Sequence, residues 1–308
     1  MGFREDVLTG LAARPRAIPA RWLYDAAGAR LFEEITEQPE YQLPRAEQAL
    51  LEAHKDELAD AATGRTLVEF GAGSGTKTRL LLRALAPSAY VPIDIASDQL
   101  AATAATLGQA FPQVAVRPLV ADFAALAALP AEALKEPPLG YFSGSTISNF
   151  APAAAVDLLR RFHRMLGEDA LLLIAFDRIK PVATMLAAYD DAAGVTAQFN
   201  LNLLARVNRE LDGDIPVDAF EHRVRWNDDA GRIELHLEAM RDLAFTVSGE
   251  FCSFRRGATI HTENSYKYDG RELRLLLRAG GWEPAHEWTE PRGLTLVLAA
   301  AAQPALAP

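Results

Sequence analysis

The chain has 308 residues, 50% of them apolar and 23% charged, which is ample for a sizeable core and about two domains by a prior of roughly 150 residues each. Lys and Arg total 31 against 41 Asp and Glu, a net charge of −10 with no basic cluster, so nucleic acid and anionic membranes are disfavoured as partners. The single cysteine, Cys252, excludes an intrachain disulfide, no Cys/His spacing suggests a metal site, and no apolar run reaches the ~20 residues of a bilayer span, so the expected compartment is the cytoplasm.

In chain order, the opening MGFREDVLTG lacks the charged-then-apolar pattern of a signal peptide, and the first 45 residues supply no strand to the main sheet. From 66 to 179, short apolar runs alternate with helical patterns, the signature of strand-helix-strand units and a parallel sheet. Strands are predicted at 66–70, 89–94, 114–120, 140–143 and 171–176, with a helix at 76–84 after the first. After Lys180-Pro181 the rhythm changes. Helices are predicted over VATMLAAYDDA and FNLNLLARVNREL, a turn at Asp212-Gly213-Asp214, and half-buried antiparallel strands at HRVRW, RIELHLEAM and LAFTVSGEF. Phe251 and Phe254 beside Cys252 suggest a small buried thiol, whereas His163, His236 and the arginines at 223, 225 and 232 are expected on solvated positions. A helix at 270–279 and strands at 284–288 and 294–299 restore the earlier pattern, and LAAAAQPALAP reads as a frayed tail. The fold class is therefore α/β, a Rossmann-like doubly wound sheet with an α+β insertion near 181–266.

Between the first strand and its helix lies Glu69-Phe70-Gly71-Ala72-Gly73-Ser74-Gly75-Thr76-Lys77. Glycine suits a tight strand-to-helix turn whose backbone approaches a ligand, and the helix start adds unpaired N–H groups. A dinucleotide fingerprint would need glycine at position 76, which is Thr, and Gly75-Thr76-Lys77 does not complete a phosphate-cradling loop. What remains, an acidic residue followed by G-x-G-x-G, resembles motif I of class I S-adenosylmethionine-dependent methyltransferases. Asp94 ends the second predicted strand, where a carboxylate can accept both ribose hydroxyls, and Asp122-Phe123 follows the third, where a carboxylate can take an adenine amine while the ring packs on its face.

Further stretches carry a second resemblance, running from about residue 20 to 299. Trp22-Leu23-Tyr24-Asp25, Pro39-Glu40-Tyr41, Gly144-Ser145-Thr146-Ile147-Ser148-Asn149-Phe150, Tyr189-Asp190-Asp191-Ala192-Ala193-Gly194-Val195-Thr196 and Thr262-Glu263-Asn264-Ser265-Tyr266-Lys267-Tyr268 are similar to the histidine Nα-methyltransferases of ergothioneine biosynthesis. The resemblance implies stepwise addition of three methyl groups to the α-amine of L-histidine, giving hercynine. S-adenosyl-L-methionine would be the cofactor, leaving as S-adenosyl-L-homocysteine, and no metal would take part. The partners would be small molecules, histidine with its mono- and dimethyl forms, and the chain a monomer.

It also implies site residues. Gly71, Gly73, Lys77, Asp94, Asp122 and Phe123 would bind the cofactor, Lys77 at its carboxylate. Asn149 and Tyr189 would bind the substrate carboxylate with Gly144 and Thr196 close by, and Tyr41 would lie against the imidazole. Glu263 and Ser265, two apart on a strand and so on one face, can bond both imidazole nitrogens. Tyr24 would sit between cofactor and substrate and orient the amine. The domains would be 45–180 with 267–302 for the cofactor, and 1–44 with 181–266 for the substrate.

Plainer readings stand beside these. Tyr24 and Tyr41 suit packing, Asn149 suits the cap of a helix near Pro152, and Glu263 suits a surface pair with Lys267. Three stretches depart from the family pattern beside the amino-acid pocket: Gln42-Leu43-Pro44-Arg45 stands where a second tyrosine and Pro-Thr-Arg are usual, Ser148 where a glycine is common, and Asn264 where an aliphatic is common. Two alternatives follow, a related N-methyltransferase of another amino acid such as a tryptophan derivative, and a non-catalytic S-adenosylmethionine-binding protein.

Overall fold

The computed structural model describes residues 2–130, 133–134 and 136–302. The chain divides into two compact units, Met1–Gln42 with Lys180–Lys267, and Leu43–Ile179 with Tyr268–Pro308; they are called the first and second unit below.

The second unit is built on an eight-stranded sheet. Its order is Trp282–Glu290, Leu294–Ala301, Leu171–Asp177, Pro138–Phe142, Thr66–Phe70, Ala89–Asp94 and Ala115–Val116, with Leu119–Val120 also pairing Ala89–Asp94. The pairings are parallel from Leu171–Asp177 onward and antiparallel at the two strands nearest the carboxyl end. Strands covered on both faces read as near-continuous apolar runs, and every residue of Thr66–Phe70 and Pro138–Phe142 is buried, Thr66 and Glu69 being the polar members of the first. The strand expected at 114–120 is two short pieces, because Pro118 has no N–H to continue the ladder. Leu298–Ala301, expected in a frayed tail, complete the strand Leu294–Ala301, and the remainder of that tail from 303 lies outside the described residues.

The first unit carries a four-stranded sheet in the order Arg16–Ala17, Thr259–Tyr266, Arg232–Ala239, Phe220–Asn227. Its long helix, Val195–Leu211, buries Val195, Phe199, Leu203, Leu204 and Val207, the three- and four-residue spacing of one apolar face. The segment read as one strand, LAFTVSGEF, is a hairpin of Leu243–Val247 and Glu250–Phe254. Ser248 and Gly249 at its tip both have positive φ, the backbone of a two-residue turn that reverses the chain. Phe251 is 73% exposed on that hairpin and Cys252 is only half-buried, so the thiol is not the enclosed one expected. His236 is buried rather than solvated, its Nε2 3.1 Å from Glu234. His163, in the second unit, is half-buried with its ring 5.4 Å from that of Trp282. Among the described residues, no helix is long and apolar enough to cross a membrane, and no group of His, Cys, Asp and Glu could hold a metal ion.

Candidate active site

In the second unit the glycine loop joins the strand Thr66–Phe70 to the helix Thr78–Leu85. Gly71 has φ +79°, and a Cβ there would meet only Phe123, at 3.7 Å; nothing lies within 4 Å of a Cβ at Gly73. These two positions leave a concave, open backbone. Gly75 differs: a Cβ would come within 2.9 Å of Thr103 and 3.1 Å of Leu107, so its glycine lets the loop lie on the helix Ser97–Ala110. Asp94, at the end of Ala89–Asp94, is fixed by accepting from Gly73 N at 3.2 Å and Ala96 N at 3.0 Å, and Asp122 accepts from Ala124 N at 2.9 Å. Each carboxylate is aimed by backbone N–H groups and keeps lone pairs for hydroxyl or amino donors. Phe123 stands among Phe70, Phe142 and Phe162, with centroids 6.5, 5.4 and 6.2 Å away.

Glu69, the acidic residue that opens the motif, is a clamp. Its Oε2 accepts from Thr78 Oγ1 at 2.7 Å and Tyr90 Oη at 2.5 Å, tying the strand before the loop to the helix after it. Burial pushes its pKa up to about 7, against the pull of those hydrogen bonds.

Sequence reasoning missed Glu47. On the helix Leu43–Ala53 the buried residues are Leu43, Ala46, Glu47, Leu50 and Leu51, so a carboxylate occupies a place on the apolar face. An acid at that spacing is the signal that was available. Glu47 is ion-paired with Lys77 and accepts from Tyr141 Oη and Gly144 N, each at 2.9 Å. It therefore places the lysine assigned to the cofactor carboxylate beside Gly144, whose Cβ would be 3.7 Å from Lys77 Nζ.

Asn149 ends the turn Thr146–Asn149. The N-cap position of the helix Pro152–Leu166 is Ala151, so Asn149 stands two residues before it. Ser148 is 1% exposed and its hydroxyl bonds Ser145 Oγ at 2.7 Å, which in turn accepts from Asp177 N. That departure from the family pattern points inward and holds the turn.

In the first unit the strand Thr259–Tyr266 bulges between His261 and Glu263. A bulge re-aims the side chains after it, and Thr262 donates to Leu235 O at 3.1 Å within this irregularity. Glu263 is 8% exposed and Ser265 3%. Burial lifts the Glu263 pKa to about 7, and the positive charge of Lys267 opposes the rise. Neither Glu263 nor Lys267 is at the surface, so the surface-pair reading is wrong. Asn264 bonds His261 at 2.9 Å, and this accounts for its side chain without the imidazole pocket.

An aromatic wall completes this half. Tyr24 packs against Phe32 and Phe199 with centroids 5.4 and 5.3 Å away, and Tyr41 lies 6.4 Å from Phe32 and 5.9 Å from Tyr189. Burial raises the Tyr24 pKa well above its ordinary value, and the negative charge of Glu263 adds to the rise. Thr196 opens the helix Val195–Leu211, where Asp191 accepts from its N at 2.7 Å and from Val195 N at 2.8 Å. Tyr189, in the turn after Val182–Ala187, bonds Ser265 Oγ at 2.6 Å, which unites two residues assigned to different parts of the substrate.

Residues 3–302 match the family described as histidine-specific, SAM-dependent methyltransferases. A histidine N-alpha-methyltransferase of Mycolicibacterium smegmatis is 37% identical over 301 residues, covering 94% of this chain and 92% of its own. A 4-dimethylallyltryptophan N-methyltransferase of Epichloe festucae var. lolii is 26% identical, covering 92% and 90%. Among solved structures, an S-adenosylmethionine-dependent methyltransferase from Clostridium acetobutylicum superposes with a TM-score of 0.52 at 10% identity, covering 88% of this chain and 98% of its own, a likeness of fold.

Proposed function

Because the chain belongs to the histidine-specific, S-adenosylmethionine-dependent methyltransferases, we infer that it methylates the α-amine of L-histidine three times, giving hercynine for ergothioneine biosynthesis. The observation that carries the substrate is the buried Glu263 and Ser265, a carboxylate acceptor and a hydroxyl two residues apart on one strand. An indole has one N–H and no second ring nitrogen to answer such a pair, and a buried polar group left unmatched penalises the wrong ligand.

S-adenosylmethionine, when bound, supplies a methyl group on a sulfonium that leaves as a neutral thioether. The open backbone at Gly71 and Gly73, with Asp94 and Asp122 held by N–H groups, fits a phosphate-free adenosyl group. Lys77, steadied by Glu47, is assigned to the cofactor carboxylate, and Asn149 and Gly144 to the substrate carboxylate. Tyr41 lines the imidazole side, and Tyr189, expected at the substrate carboxylate, is reassigned to that side because its hydroxyl bonds Ser265; Thr196 stays near the substrate carboxylate at its helix start. In-line alignment of amine and methyl can itself be worth ~7 to 11 kcal/mol. Burial raises the Tyr24 pKa above its ordinary value, which argues against strong base catalysis; its hydroxyl orients the amine, which loses a proton before each transfer. All the assigned residues come from one chain, and we propose that it works as a monomer.

The test is incubation with S-adenosylmethionine and each standard amino acid in turn, read by mass spectrometry. Histidine alone gaining one, two and three methyl groups supports the reading. Product from tryptophan but not histidine, or none at all, refutes it in favour of the indole or the binding-protein alternative.

A further inference from the structure

Lys267 follows Glu263 and Ser265 at the same two-residue step, immediately beyond the end of the strand Thr259–Tyr266. It is 3% exposed, an unusual place for a lysine. Its Nζ donates to Ser265 Oγ at 2.6 Å and to Tyr189 Oη at 3.0 Å, and lies 4.7 Å from the centre of the Tyr189 ring. Tyr189 Oη and Ser265 Oγ are 2.6 Å apart, closing a three-membered ring of hydrogen bonds.

The proton count in that ring is restrictive. An ammonium has donors only, so both oxygens accept from it. One hydroxyl proton lies between the two oxygens. The other hydroxyl proton has no place inside the ring and points outward. A free serine can turn its hydroxyl to donate or accept; here the oxygen that accepts twice has only its outward proton to offer, while the other oxygen keeps one lone pair.

We propose that Lys267 is a positioning residue for substrate recognition: it holds the Tyr189 and Ser265 hydroxyls so that one O–H is presented to the unprotonated nitrogen of a neutral imidazole, whose N–H goes to Glu263. This rests on the proposed histidine activity and deepens it, since it names the protonation state and the group that enforces it. Tyr189 is itself anchored from behind. His222 Nε2 lies 2.9 Å from Tyr189 O, and Asn200 Nδ2 lies 2.9 Å from His222 Nδ1, which assigns the His222 proton to Nε2. The position of the ring is thus held by backbone and the direction of its hydroxyl by Lys267.

The experiment is steady-state kinetics of Lys267→Met and Lys267→Arg, with S-adenosylhomocysteine affinity by calorimetry. Lys267→Met is expected to raise KM for histidine on the order of tenfold to a hundredfold, with kcat within threefold and S-adenosylhomocysteine affinity within twofold of the parent. Lys267→Arg keeps the charge but brings a planar fork that cannot sit on both oxygens in the same way, so KM should rise at least about threefold. If Lys267→Met does not fold, Lys267→Arg decides alone. KM within twofold of the parent in the folded variants overturns the proposal. So does a parallel loss of kcat, KM and S-adenosylhomocysteine affinity, which would mark a merely structural lysine. A parent that methylates histidine while both variants match it sinks this inference alone; a parent that leaves histidine unmethylated sinks the activity and this inference with it.

Discussion

Around the glycine loop the recognition surface proposed for the cofactor is mostly backbone, open at Gly71 and Gly73 and edged by two carboxylates that N–H groups hold in place. Around Glu263 it is mostly side chain: a carboxylate with pKa about 7, two hydroxyls, an ammonium and a set of aromatic rings. A cofactor common to many reactions can be held by a loop whose geometry follows from glycine spacing. A single amino acid must be told from nineteen others, which takes buried polar groups that tolerate no mismatch. The first design spends backbone freedom at its glycines, and the second keeps a buried carboxylate whose charge Lys267 offsets only in part.

The contrast can be broken most sharply at Gly71. Gly71→Val places a β-branched residue at φ +79°, and S-adenosylhomocysteine affinity is expected to fall a hundredfold or more, measured by calorimetry on protein whose unfolding transition is intact. An unchanged affinity would mean the loop does not approach the ligand. Asp94→Asn removes a charged acceptor but keeps the shape; we expect a tenfold to hundredfold loss of S-adenosylhomocysteine affinity and a KM for histidine within threefold of the parent.

On the histidine side, pH sharpens the comparison. Glu263 accepts an imidazole N–H most strongly when ionised, and burial has raised its pKa to about 7, so below that pH kcat/KM for histidine should fall more steeply than the substrate's own amine and imidazole titrations require. In Glu263→Gln that extra steepness should vanish, leaving only the titrations of the substrate amine and imidazole. A profile identical to the parent would remove Glu263 from recognition.

The smallest effect concerns stability. The folded-state pKa of Glu263, about 7, lies above the ordinary 4.5, so the group's penalty is absent at low pH, grows as pH rises from 4.5, and is complete above 7. Glu263→Gln should therefore be more stable than the parent at pH 8, by up to about 3 kcal/mol, with the gain shrinking toward pH 5 in thermal unfolding. A variant less stable at pH 8 would show that the charged form is well compensated in the fold.

The same contrast governs what could be read from the sequence. The strands 66–70 and 89–94 and the helix 270–279 are found where periodicity put them, because unbroken apolar runs between turn residues leave little choice. The glycine loop is local, and its spacing survives in one dimension. Glu47 and Lys77 are thirty residues apart and their pairing is invisible to a scan of neighbours; only the misplaced acid on an apolar helix face hinted at it. The hairpin at Ser248-Gly249 was hidden because apolar residues continue on both sides of its turn. Lys267 was in plain view at the end of the Glu263, Ser265 alternation, yet its burial depends on how the strand ends and on where Tyr189 lies, which no local pattern contains.

The most direct measurement is calorimetry of Glu263→Ala, saturated with S-adenosylhomocysteine and titrated with L-histidine, beside a titration of the cofactor product alone. The division of labour described above predicts histidine affinity lower by about a hundredfold or more, with S-adenosylhomocysteine affinity within twofold of the parent. Histidine affinity equal to that of the parent would contradict it.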